Sequence, residues 1–190
     1  MKELTCLLIC VLLVYIYINY VRKSLHLSRV QSTIDGNKYY VRNLKDKQEA
    51  ADKLANLSQS LLQLIRSIQS NKKEGVDRLV ERFDPTDITE NIPGSMYVAY
   101  SVNKGDELSI CIREKETEKF LDQNTVIFVA IHELAHIMTK ENGHTETFWL
   151  NMKYLLEEAI KIGVYQEIDY SKHPVRYCGM DIDNTPLNIK

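Results

Sequence analysis

Basic patches are missing from this sequence. No run of Lys and Arg is longer than Lys72-Lys73, and 24 basic against 26 acidic residues leave a formal net charge of −2. That removes the electrostatic footprint through which proteins hold a nucleic-acid duplex, so no nucleic-acid partner is expected. Cysteine is scarce as well. Of the four, Cys6 and Cys10 fall in an apolar N-terminal run, while Cys111 and Cys178 stand far apart without CxxC spacing. A disulfide framework is excluded on this pattern, and the expectation is reduced, mostly buried thiols in a reducing compartment. Internal repeats and low-complexity stretches are absent too. The 190 residues, 44% of them hydrophobic, suffice for one compact core and leave little room for a second.

The chain opens on its longest apolar stretch. From Leu4 to Val21 the only ionisable groups are tyrosine hydroxyls and two thiols. As a helix it would reach roughly 27 Å at about 1.5 Å per residue, close to the ~30 Å of a bilayer core. Arg22 and Lys23 would snorkel, and Tyr15, Tyr17 and Tyr20 stand where an interfacial aromatic belt lies. A cleaved signal peptide would end in small residues, whereas this run ends Ile18-Asn19-Tyr20-Val21-Arg22-Lys23. The expectation is a transmembrane anchor over residues 1–23 with its membrane contact at 4–21. A juxtamembrane linker over 24–42, with Asp35-Gly36-Asn37 as a turn, and a catalytic-sized domain over 43–190 follow it. Arg22, Lys23 and Arg29 after the run, against Lys2 and Glu3 before it, put the domain on the cytoplasmic side of a single-pass membrane protein.

Periodicity organises the rest. Ala51, Leu54, Leu57, Leu61, Leu64 and Ile68 recur at three and four, one face of a helix that either packs on the core or pairs as a short coiled coil. Val76, Leu79, Val80 and Phe83 suggest a short helix stopped at Asp84-Pro85. Met96–Ser101 and Glu107–Arg113, around the turn Asn103-Lys104-Gly105-Asp106, read as a β-hairpin, with Leu108, Ile110 and Ile112 alternating against polar neighbours. Residues 123–140 are apolar nearly all round, which predicts a helix running through the core, capped by Asp122 or Asn124. Phe148, Met152, Leu155, Ala159 and Ile162 define a further amphipathic helix, with Thr145 a fitting N-cap. Residues 165–190, with Pro174, Gly179 and Pro186, read as irregular chain wrapping the domain.

Inside the buried helix stands His132-Glu133-Leu134-Ala135-His136. Histidines four apart lie one turn apart on one face, about 6 Å between Cβ atoms, so both imidazoles can converge on one tetrahedral ion. Glu133 is placed to reach a metal-bound water. Zinc lowers that water's pKa and polarises a scissile carbonyl, while the carboxylate takes the proton and passes it on. Two histidines and a glutamate buried without partners would cost about 1 to 3 kcal/mol each, a penalty that a metal removes. A catalytic zinc wants a third protein ligand. His144 is favoured, because Gly143 lets the chain turn back past the helix end; Glu146, Glu157 and Glu158 are alternatives. His173 and Tyr177 are weaker candidates for donating to a developing oxyanion.

From His132 to Trp149 the text HELAHIMTKENGHTETFW resembles the WLM and SprT-like zinc metallopeptidases, in which an HExxH helix is followed by Gly-His-x-x-x-Phe. The resemblance covers roughly residues 90–165. It implies an α+β minimal-zincin fold in which a β-hairpin or small sheet packs on the HExxH helix. It also implies His132, His136 and His144 as zinc ligands, Glu133 as catalytic base, and Phe148 and Trp149 packed beneath the site. A short domain of this kind behind an anchor is similar to proteins of large DNA viruses. The expected activity is hydrolysis of a protein or peptide substrate near a membrane. A non-proteolytic zinc hydrolase and a silent, zinc-stabilised membrane protein are the alternatives.

Overall fold

The computed structural model describes residues 5, 9–11, 13–15, 17, 26–92, 99–102 and 107–188. A mixed five-stranded sheet is packed against helices. Strand β1 (Leu27–Gln31) pairs antiparallel with β2 (Lys38–Arg42), in register from Leu27 opposite Arg42 to Gln31 opposite Lys38. Next to β2 runs β3 (Ile88–Glu90), parallel to it, and β5 (Glu107–Ile110) is parallel to β3 in turn. Strand β4 (Ala99–Val102) closes the sheet antiparallel to β5, so the order is β1-β2-β3-β5-β4 and β4 is an edge. The expected hairpin overlaps the β4–β5 pair, although β5 ends at Ile110 rather than Arg113, and residues 96–98 and the expected turn at 103–106 lie outside the described residues. The β1–β2 pair corrects the expected linker: residues assigned to 24–42 supply two sheet strands, with Asp35-Gly36-Asn37 in their turn and Tyr39 and Val41 in the core.

Helix α1 (Lys47–Ile68) crosses the inner face of the sheet. Its stripe from Ala51 to Ile68 is buried within the domain, so the core, rather than a second coil, takes it up. Helix α2 (Val76–Arg82) follows Gly75, whose φ of +88° favours glycine and whose added Cβ would lie 2.3 Å from the Met138 carbonyl oxygen. That contact fixes α2 against the end of α3 (Gln123–Met138), which is buried on nearly every side, as its unbroken apolar sequence requires. Asp122 caps α3 by accepting the Thr125 amide at 2.9 Å, whereas Asn124 instead exchanges two hydrogen bonds with the backbone of Gln166. Helix α4 (Glu146–Lys161) is capped by the Thr145 hydroxyl, which accepts from the Phe148 amide.

One ionic knot, buried at Arg113 and Glu90 and open to solvent at Asp46, ties the sheet to α1. Arg113, 2% exposed, donates through Nε to Glu90 at 2.8 Å and through both terminal nitrogens to Asp46 at 2.7 and 2.9 Å. Its guanidinium lies 3.9 Å from the Phe120 ring centroid. Burial works against the charge on Glu90, and the Arg113 guanidinium together with the Arg42 amide holds it.

The C-terminal stretch is more ordered than irregular chain. Strands β6 (Val175–Tyr177) and β7 (Met180–Ile182) form a hairpin whose two turn residues, Cys178 and Gly179, have φ of +52° and +90°. Two successive positive φ values suit a two-residue hairpin turn. The turn is bonded to the sheet by a disulfide between Cys178 and Cys111, whose Cα atoms are 6.4 Å apart. This corrects the expectation of separate reduced thiols. The partners are 67 residues apart in sequence, so only the folded path brings them together.

The single-pass membrane location is corrected as well. Among the described residues no helix is long and apolar enough to cross a membrane. The 22-residue α1 alternates its apolar stripe with Lys, Glu, Asp and Arg, and the apolar α3 has only 16 residues, short of the roughly 20 that a bilayer core needs. Much of the run at 4–21 lies outside the described residues; those described within it, such as Ile9, Val11 and Leu13–Tyr15, are helical.

Candidate metal centre

The site is assembled from α3, the loop after it and the first turn of α4. His132 and His136 project from one face of α3, one turn apart. Past Met138 the helix ends at Thr139, whose hydroxyl turns back to the Ala135 carbonyl at 2.7 Å and accepts from the Asn151 side chain at 2.9 Å. This buried bridge joins the end of α3 to α4 across the connecting loop. Gly143, with φ of +82°, reverses the chain there and returns His144 to the face of α3.

Three imidazoles converge as a result. The His144 Nε2 atom lies 3.0 Å from His132 Nε2 and 3.2 Å from His136 Nε2. Nitrogens bound to one tetrahedral zinc at about 2.0 to 2.1 Å stand roughly 3.4 Å apart, so the spacing is close to that of an occupied tetrahedral face. Burial, reinforced by the two neighbouring imidazoles, pushes His132 down to about 3, and the neutral ring is the form that binds a cation. Three lone-pair nitrogens facing one another have no stable arrangement without a shared proton or cation. The donor set therefore fits a divalent metal, with nitrogen ligands that suit zinc.

Aromatic rings floor the triad. Phe148, fully buried, has its centroid 4.9, 4.3 and 4.7 Å from those of His132, His136 and His144. Trp149 stacks on His144 at 5.4 Å and 28°. Glu133, 7% exposed, lines the same cleft as His132 and His144. That cleft has a volume of about 1100 Å³ and is bounded on its far side by the β6–β7 hairpin and the segment after it.

The remaining candidates are placed elsewhere. Glu146, Glu157 and Glu158 do not join the cluster of potential ligands, and Glu158 pairs with Lys161 at 3.5 Å. His173 is exposed in the tail, with its amide bonded to the Asp169 carbonyl. Tyr177 does reach the cleft, fully buried, but its hydroxyl donates to the Cys111 carbonyl at 2.6 Å. Burial, and secondarily the charge of Glu133, raise its pKa above the usual tyrosine range. The wall formed by Ile182 and Pro186 was not foreseen, and nothing local in their sequence marks them as cleft residues.

Comparison with known proteins agrees with this architecture. The WLM domain family model matches residues 34–183. The chain belongs to the WLM family. This membership supports a zinc metallopeptidase-type function at the level of the family. An uncharacterized protein of Acanthamoeba polyphaga mimivirus is 33% identical over 166 residues, covering 84% of each chain. A protein of Invertebrate iridescent virus 6 is 37% identical over 71 residues, covering 36% of this WLM protein and 39% of that one. Among solved structures, Wss1 from Saccharomyces cerevisiae superposes with a TM-score of 0.52 at 17% identity, covering 65% of this chain and 87% of that one. At that identity the likeness is one of fold, and it places the small mixed sheet and helices described above in the same α+β class.

Proposed function

We propose that this WLM protein is a zinc-dependent peptidase that hydrolyses peptide bonds in protein substrates, with His132, His136 and His144 as metal ligands and Glu133 as general base. The observation that carries the reading is the approach of the three Nε2 atoms to one another, with a buried carboxylate adjoining the first of them in sequence. When bound, zinc would supply Lewis acidity, lowering the pKa of a water and polarising the scissile carbonyl.

The chain's own groups do the rest. Glu133 accepts the proton of the attacking water at its carboxylate and delivers it to the leaving amine, and its low exposure keeps that proton out of bulk solvent. Phe148 and Trp149 fix the imidazole planes, so the ligands need no reorganisation. Strand β4 ends the sheet beside α3, and Ala99 at its start lines the cleft. An extended peptide adding to that edge would have its backbone ordered along the cleft.

The test is cleavage of casein by the zinc-loaded protein, wild type against Glu133→Gln. The variant should retain zinc while its turnover drops by about 10²- to 10⁴-fold. Equal turnover would remove Glu133 from its role, and loss of zinc from the variant would reassign it as a ligand.

A further inference from the structure

Directly behind the metal-ligating face, α3 carries two apolar side chains in place of polar ones. Phe128 and Val129 precede His132 and Glu133 by one turn each, so they continue the same helix faces along the cleft. Met152 and Trp149 of α4, and Ile182 and Pro186 of the C-terminal segment, extend this surface. Apart from Glu133 itself, the charged groups that border the cleft are Lys115, in the loop after β5, and Asp181 and Asp183 on the tail, all of them exposed. An acidic substrate side chain entering beside Val129 would lose water and meet the Glu133 carboxylate one turn away. A basic one would claim the carboxylate that the reaction needs, and an apolar one would lose only its hydration shell.

Resting on the peptidase reading above, we infer that this surface is a specificity subsite. It takes one large apolar side chain, of the size of Leu, Met or Phe, from the residue adjoining the scissile bond. The commitment to a peptide side chain follows from continuity: the apolar surface begins one helical turn from the base and the first metal ligand. A cleft of about 1100 Å³ has room for several residues, so the apolar side chain occupies its inner end while the backbone follows the outer part. Val129 of α3 and Ile182 of the C-terminal segment both line the cleft, and their size sets the room available.

Binding separates this inference from the catalytic one. The probes are hydroxamates, which anchor to the metal without being hydrolysed: acetohydroxamate, with no side chain, and the hydroxamates of N-acyl glycine and N-acyl leucine. Each is titrated against the full-length zinc-loaded protein. The leucine compound should bind between about 10- and 100-fold tighter than the glycine compound, the factor expected for burying one such side chain. Val129→Phe, which fills the inner end, should bring the two within threefold of each other. Val129→Ala should retain the preference and extend it to a bulkier naphthylalanine analogue. Zinc content and melting temperature of each variant establish that it is folded, and acetohydroxamate should bind all three proteins alike. Equal binding of the glycine and leucine compounds to wild type would overturn the subsite, as would an unchanged ratio in folded Val129→Phe. A protein that discriminates between these probes but cleaves no peptide would retain the subsite and lose the peptidase reading.

Discussion

The two walls of the cleft are held by different means. On one side α3 and α4 are built from signals that act within about a dozen residues: the Asp122 and Thr145 caps, the Gly143 reversal, and the Thr139–Asn151 bridge. On the other, the β6–β7 hairpin has two short strands and is tied down by long-range links, the Cys111–Cys178 bond and the Tyr177 hydroxyl on the Cys111 carbonyl. The difference teaches that ligand geometry and cleft width are under separate control. Loosening the hairpin should change what fits without moving the imidazoles.

The largest effect to break that separation is expected from Phe148→Ala, which removes the ring beneath all three histidines. It should cost about 3 to 5 kcal/mol by denaturant titration, and weaken zinc about 10- to 100-fold by competition with a chromogenic chelator. Substituting both Cys111 and Cys178 by serine should cost roughly 2 to 4 kcal/mol under non-reducing conditions, and the gap should close when wild type is reduced. Limited proteolysis then gives the sharper reading. Reduced wild type should be nicked within 175–188 while 123–161 stays intact with zinc bound; simultaneous digestion of both regions would mean that the walls are one unit.

Smaller effects refine the contrast. Asp122→Ala should cost about 1 kcal/mol and leave the hydroxamate preference unaltered, since it acts on the far end of α3 from His136. Tyr177→Phe should cost about 1 kcal/mol near neutral pH, the worth of one hydrogen bond to a buried carbonyl. Because the Tyr177 pKa is raised in the fold, the stability tied to its neutral hydroxyl is complete below the ordinary tyrosine pKa of about 10 and is lost as pH climbs above it. Urea midpoints of wild type should therefore fall more steeply than those of Tyr177→Phe in that alkaline range; parallel curves would take Tyr177 out of the account.

The same contrast explains what could be read in the amino acids. Helix α3, its Asp122 cap and the reversal at Gly143 are each encoded by residues a few positions apart, where periodicity and capping chemistry act. The β4–β5 hairpin was legible for a similar reason, from Leu108 and Ile110 alternating with Glu107 and Ser109. Residues 27–42 gave a weaker signal. Ser28-Arg29 and Lys38 dilute the alternation, and what makes β2 a central strand is its parallel partner β3, with Tyr40 beside Thr89. The disulfide partners and the Ile182–Pro186 wall were illegible for a stronger version of this reason: their roles exist only after the tail has packed. The apolar N-terminal run misled differently, since its length and composition met the criteria for a span while no described helix does.

The knot formed by Arg113, Glu90 and Asp46 has an evolutionary corollary. Arg113 and Glu90 are each 2% exposed, so losing the arginine strands the carboxylate in a nearly solvent-free place at a cost of about 3 to 5 kcal/mol, whereas exchanging that pair for well-packed apolar residues is close to neutral. Asp46, 42% exposed, can be lost more cheaply because Arg113 keeps Glu90. Drift at positions 90 and 113 should therefore proceed by concerted jumps. Lineages of this domain would carry both Arg113 and Glu90 or an oily replacement of the two, and single intermediates would be rare, while position 46 drifts freely.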